Sequence, residues 1–269
     1  MRVAVAGIGL EVEDHGAGVP LVLLHGFPLS SAIWDPLRPA LAEVARLVTP
    51  DLRGFGDSDK PATNYGMAEL AADVIALADA LALDRFVLGG HSMGGYVALR
   101  LAAATPERLA GLILIDTRAE ADSPEAAERR TAAISAIDRD GGSAWLDGFV
   151  PGLLSPSTRE RAPRLLAELR ALAAAVPDHV LAGCQLGMRE RPDSRSLLAR
   201  LDVPALVLVG ADDAVTPPAV AAVMAATLPQ ATLAVVPGAG HTPSVERPIQ
   251  VAEAIVAFLR NLGRARATV

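Results

Sequence analysis

The stretch Gly90-His91-Ser92-Met93-Gly94-Gly95 sets a serine between glycines two residues to either side, the pattern G-x-S-x-G. It follows the apolar run 85–90 and precedes the helix-like run 96–104, so strand, sharp turn and helix come in the order that pushes one side chain out of a sheet. The turn presses backbone against backbone at the two glycines, and a Cβ there would collide. A serine hydroxyl is a weak nucleophile at neutral pH, and the free N–H groups and positive dipole end of the following helix would stabilise negative charge developing on its target. The expected chemistry is attack on an electrophilic carbon with Ser92 as nucleophile.

Such a serine needs a general base. Of five histidines, His241 lies in a loop between a late strand, 231–237, and the final helix, 248–260, where Gly238 and Gly240 permit an irregular path. His25 reads as a hydrogen-bonder bracing its own loop, His91 as pointing away from the site, and His15 and His179 as surface or insertion residues. The acid that orients the base should follow an earlier strand: 206–217 offers Asp212 and Asp213, and Asp116, ending another strand, is a lesser candidate. Two main-chain donors are expected for an oxyanion, the N–H of Met93 and the N–H of Phe27 in the loop 24–31. Trp34, farther along that segment, reads as a packing residue, whereas the side chains of Phe27 and Met93 could line an acyl pocket.

These residues require a scaffold that brings strand ends together. The runs 20–26, 85–90, 109–116 and 204–210, rich in Val, Leu and Ile, are expected to be parallel strands buried on both faces. Between them, 67–82 carries Leu70, Val74, Leu77 and Leu81 at helical spacing, with Glu69, Asp73 and Asp79 off that face. Alternating strand and helix predicts an α/β fold, a doubly wound, mostly parallel sheet with its chemistry in the loops at the carboxyl ends of the strands. The first 15 residues read as an antiparallel hairpin feeding the sheet. Residues 118–200 break the rhythm with helical segments and prolines, which predicts an inserted helical cap between core segments 1–117 and 201–269. Trp145, Phe149 and Leu153, with Leu146 and Leu154, are its expected apolar substrate-binding lining. The cap carries equal numbers of Arg and of Asp plus Glu, so no net field is expected to steer an ionic substrate.

Composition removes other classes. A net charge of −7 with basic residues spread along the chain disfavours nucleic-acid binding. No apolar run approaches the roughly 18 to 20 residues that span a bilayer, so no membrane partner is expected. A single cysteine, Cys184, excludes an internal disulfide framework and fits a reducing compartment. The N-terminus lacks a long apolar segment and turns acidic early, which predicts a cytoplasmic protein. No cysteine and histidine spacing suits a metal. Oligomeric state is not readable.

Together the segments 25–36, 51–61, 89–95, 210–217 and 238–248 resemble the α/β-hydrolase superfamily over the chain outside the cap. Gly210, Asp213 and Pro217 meet the family's G-x-x-D-x-x-x-P spacing, which implies Asp213 as the acid and leaves Asp212 a turn residue; Ser92, Asp213, His241 is then the family's triad order. The stretch 115–130 resembles 3-oxoadipate enol-lactonases and small carboxylesterases. That resemblance implies hydrolysis of a small ester or lactone through an acyl-enzyme, without metal or organic cofactor. Haloalkane dehalogenases share much of the pattern but use Asp as nucleophile, so Ser92 argues against them. Cofactor-free haloperoxidases and perhydrolases share the triad, and a signalling module that keeps the triad to hold a small apolar ligand is the reading from another class.

Overall fold

The computed structural model describes residues 1–62 and 65–267, with side chains as far as residue 263. The chain opens with strands β1 (Arg2–Val5), β2 (Ile8–His15) and β3 (Pro20–Leu24), a short helix α1 (Arg38–Ala42) and β4 (Arg46–Pro50). Then α2 (Met67–Ala80), β5 (Phe86–His91), α3 (Met93–Ala104) and β6 (Leu109–Ile115) alternate. Six helices follow without a strand: α4 (Pro124–Asp140), α5 (Gly142–Phe149), α6 (Pro156–Arg161), α7 (Pro163–Ala174), α8 (Asp178–Arg189) and α9 (Arg195–Leu198). The chain re-enters the sheet at β7 (Ala205–Gly210) and ends with α10 (Pro218–Thr227), β8 (Ala231–Val236), α11 (Pro243–Glu246) and α12 (Pro248–Ala267).

The eight strands form one sheet in the order β1-β2-β4-β3-β5-β6-β7-β8. β1 pairs with β2, and β2 with β4, antiparallel, while all later pairs are parallel. Every residue of β5, β6 and β7 is buried, the outcome expected of near-continuous apolar runs covered by helices on both faces. β8 is the last strand of the sheet, and Leu233 and Val235 stay exposed along it. Parallel register puts the carboxyl ends of β3, β5 and β6 side by side, with Leu24 beside Gly90 and Gly90 beside Leu114.

Two features differ from the sequence reading. β4 was not among the expected strands, although it ties β2 to β3. Asp73 was placed on the polar side of its helix, yet it is buried, because Arg53 reaches it with two hydrogen bonds of 2.7 Å. A buried carboxylate is tolerated when a guanidinium pairs with it in this forked way. In the helical insertion, Ser123 and Ser155 cap α4 and α6 by accepting from Ala126 and Thr158 N–H groups, and each precedes a proline at the first helical position. No helix among the described residues is long and apolar enough to cross a membrane.

Candidate active site

Ser92 sits between β5 and α3 with φ 51 and ψ −112, a conformation a non-glycine residue holds only when its surroundings impose it. Its N–H donates to Ile115 O at 2.9 Å, and its carbonyl accepts from the Thr117 hydroxyl at 2.8 Å, so β6 clamps the turn from one side. A Cβ on Gly90 would lie 2.2 Å from Gly94 O, and one on Gly94 would lie 2.5 Å from Leu24 O. Both glycines are therefore required by close backbone approach, and the second places the start of α3 against the loop after β3.

The imidazole of His241 lies between Ser92 and Asp213. Its Nε2 is 2.9 Å from Ser92 Oγ and its Nδ1 is 2.8 Å from Asp213 Oδ2. Asp213 follows β7, where Val215 and Thr216 N–H groups donate to Oδ1 and the Thr216 hydroxyl donates to Oδ2 at 2.5 Å. Burial alone would raise this carboxyl, but the charge and hydrogen bond of His241, with the Thr216 hydroxyl, bring it well below the usual carboxylate range. Asp116 does not meet His241 directly: its Oδ1 accepts from Gly210 N–H at 2.9 Å. Burial, then the charge of Asp213, pushes the Asp116 carboxyl well above its ordinary value, so it is held neutral beside an ionised neighbour. Asp212 is exposed.

Phe27 lies in the turn after β3, and Met93 is the first residue of α3, directly after Ser92. A Cβ built on Gly26 would come within 3.1 Å of Ser92 Cβ, so the residue after it begins its path beside Ser92. The Phe27 ring faces a cavity of about 500 Å³ that also opens on Ser92, Tyr96 and His241. Met93 is fully buried, and its side chain is not part of that lining.

Trp145 and Phe149 line the same cavity, stacked at 4.6 Å, with Phe27 5.9 Å from Phe149. Leu153 corrects the sequence reading: it is 1% exposed and lies in the core rather than the cavity wall, as do Leu146 and Leu154. The reason is a long-range contact. Leu153 lies in a turn whose carbonyl accepts from the Thr242 hydroxyl at 3.1 Å, and that contact fixes the turn against the loop of His241.

Sequence reasoning missed three supports of His241. The first is Thr216, described above. The second is His91, which is buried and whose Nε2–H donates to the carbonyl of His241 at 2.5 Å. Burial first, and His241 second, lower its pKa to about 3, so it serves as a neutral donor. The third is Glu246, whose carboxylate accepts from Gly240 N–H at 2.8 Å and from Ser155 N–H at 2.9 Å, joining the histidine loop to the insertion. His25 Nε2 accepts from Leu52 N–H at 3.0 Å, which makes it a brace between loops. Trp34 is buried and lies edge-on to His91 at 6.5 Å.

A family of α/β hydrolases matches residues 21–254. The chain is 36% identical over 90% of its length to the dihydrolipoyllysine-residue acetyltransferase component of the acetoin cleaving system of Pseudomonas putida, and it spans 64% of that longer protein. Among solved structures it is similar to a thermophilic esterase from Thermogutta terrifontis, with 42% identity, 97% of this chain and 99% of that one covered, and a TM-score of 0.94. It is also similar to an enol-lactonase from Burkholderia xenovorans LB400, with 28% identity, 97% and 100% covered, and a TM-score of 0.89. A strand–elbow–helix carrying Ser92, an eight-stranded mostly parallel sheet and a matching family over most of its length place this chain in the α/β-hydrolase family.

Proposed function

We propose that the protein hydrolyses carboxylic esters or lactones of small molecules through an acyl-enzyme on Ser92. The observation that carries this reading is the unbroken hydrogen-bonded series Ser92 Oγ, His241, Asp213, at 2.9 and 2.8 Å. His241 Nε2 takes the proton of Ser92 as its oxygen attacks the carbonyl carbon, and Asp213 holds the tautomer in which Nδ1 carries hydrogen. The N–H groups of Phe27 and Met93 receive the oxyanion, and His241 then protonates the departing alcohol. In the second half a water, deprotonated by the same imidazole, attacks the acyl carbon and releases the acid. Segment 118–200 acts as a cap, with Trp145 and Phe149 shaping the acyl or alcohol space.

The solved esterase and enol-lactonase with which the fold superimposes support this reaction class. The test is release of 4-nitrophenol from 4-nitrophenyl acetate and butyrate, with intact-mass detection of the acyl-enzyme. The wild type is expected to turn over both, and Ser92→Ala to lose activity by several orders of magnitude while keeping its fold. Activity that survives in Ser92→Ala overturns the reading.

A further inference from the structure

The helical insertion lines the cavity and also touches the loop of His241. Phe149, in the apolar wall, is the last residue of α5, and the short helical turn Val150–Leu153 follows it directly. At the end of that turn the chain meets segment 238–246 through three polar contacts. Thr242 donates its hydroxyl to Leu153 O at 3.1 Å. Ser155 N–H donates to Glu246 Oε2 at 2.9 Å, and Ser155 Oγ lies 3.3 Å from Gly238 O. Glu246 Oε1 accepts in turn from Gly240 N–H at 2.8 Å, one residue before His241.

Steric contact closes the same joint. A Cβ built on Gly240 would lie 2.4 Å from Ser155 N and 2.8 Å from Leu154 C, and one built on Gly210 would lie 2.0 Å from Gly240 O. Gly240 is thus wedged between the insertion and the carboxyl end of β7, and close packing leaves neither side free to move alone. Glu246 is buried, and among the described residues it forms no ion pair within 4 Å; two N–H groups meet its charge, one at each oxygen. It is therefore a cross-link between two backbones rather than one half of a salt bridge. His241 must hold Nε2 at Ser92 Oγ and Nδ1 at Asp213 Oδ2 together, so a small shift of its backbone costs one of those bonds.

We propose, on the hydrolase reading above, that Glu246 is a positioning residue for His241, which transmits the placement of the wall at Phe149 to the imidazole. An acyl or alcohol group packed on Trp145 and Phe149 fixes α5, the turn Val150–Leu153 and Ser155, and Glu246 carries that placement to Gly240 and His241. The wall thus acts on kcat as well as on binding.

The experiment uses Glu246→Gln in the full chain. The amide keeps the size of the side chain but has one acceptor oxygen, so its NH2 group faces an N–H donor and the bridge opens on one side. With 4-nitrophenyl butyrate, and rates referred to active sites titrated as acyl-enzyme by mass, kcat should fall about 10- to 100-fold while KM stays within about threefold. Thr242→Val, which cuts the contact to Leu153, should lower kcat in the same direction by about threefold or more. Ser123→Ala, which removes the cap of α4, should lower the melting temperature and leave kcat as in wild type. Phe149→Ala should lower kcat in the wild-type background and much less once Glu246→Gln is present. Without turnover, the downfield proton resonance of the His241–Asp213 hydrogen bond in Ser92→Ala should shift, and exchange faster with water, when Glu246→Gln is added. That change in a protein that hydrolyses no ester keeps the positioning role and rejects the hydrolase reading. An unaltered resonance, a kcat per active site within about twofold of wild type, or additive effects of Phe149→Ala and Glu246→Gln overturns the proposal. Thr242→Val decides by the same readings if Glu246→Gln does not fold.

Discussion

His91 offers a quantitative test of how the loop of His241 is supported. Its imidazole is fully buried, donates through Nε2 to the His241 carbonyl, and its Nδ1 has no hydrogen-bond partner among the described residues. Burial first, and then the neighbouring His241, lower its pKa from 6.5 to about 3. The folded state thus holds this ring neutral, while the unfolded chain binds a proton below pH 6.5. Stability from this group is complete above the unfolded value and is lost as pH falls from there towards the folded one. At about 1.36 kcal/mol per pH unit, the loss between neutrality and pH 4.5 amounts to roughly 2 to 3 kcal/mol. Replacing His91 with Gln keeps a buried donor and removes the titration. Urea unfolding of wild type and His91→Gln at pH 7.5 and 4.5 gives four free energies whose double difference isolates the residue, since other titrating groups cancel. The wild type should lose about 2 to 3 kcal/mol more than the variant between those pH values. A double difference under about 0.5 kcal/mol would falsify the description of His91 as a buried neutral brace.

Asp213→Asn should lower kcat by about 10³ to 10⁴ with little change in KM and an unaltered circular dichroism spectrum, because the amide stabilises the wrong tautomer of His241; a loss below tenfold in steady-state assays would shift the orienting role to another group. Thr216→Val removes the hydroxyl that donates to Asp213 Oδ2, and kcat should drop about tenfold with a rise in the acidic limb of the kcat/KM profile; a profile identical to wild type refutes that role. Asp116 has a raised folded-state pKa, so its contribution is complete below the unfolded carboxylate value and declines as pH rises above it. Asp116→Asn, which retains an oxygen for Gly210 N–H, should therefore gain stability relative to wild type between pH 5 and pH 8, read by urea midpoints. A constant difference across that range counts against a neutral buried acid.

Local features were readable from the chain. The elbow at Ser92 depends on residues within two positions of it, and close backbone contact leaves glycine as the residue that fits at 90 and 94. Apolar runs announced the buried strands because both faces of a parallel sheet are covered, and His241 was placed by its position between a strand and the last helix. The antiparallel hairpin was legible for the same local reason, with Gly7 at φ 84 in its turn. Asp213 was chosen over Asp116 on family spacing; the residues themselves left the choice open, since both follow strand ends.

Tertiary structure decided whatever depends on where distant segments meet. His241 approaches a serine 149 residues earlier and an aspartate 28 residues earlier, and neither distance follows from periodicity. Leu153 turned into the core because its carbonyl is tied to Thr242, and Asp73 went inside because Arg53 arrived to neutralise it. A charge tally of the insertion gave zero, yet α4 and the segment before it turn three arginines towards one cavity and leave one carboxylate among them. Local sequence sets conformation through sterics and hydrogen bonds a few residues apart, so it specified the strands and the elbow at Ser92. Burial, pairing and which charged residues line the cavity depend on segments remote in the chain, and they exist only once the sheet has brought those segments together.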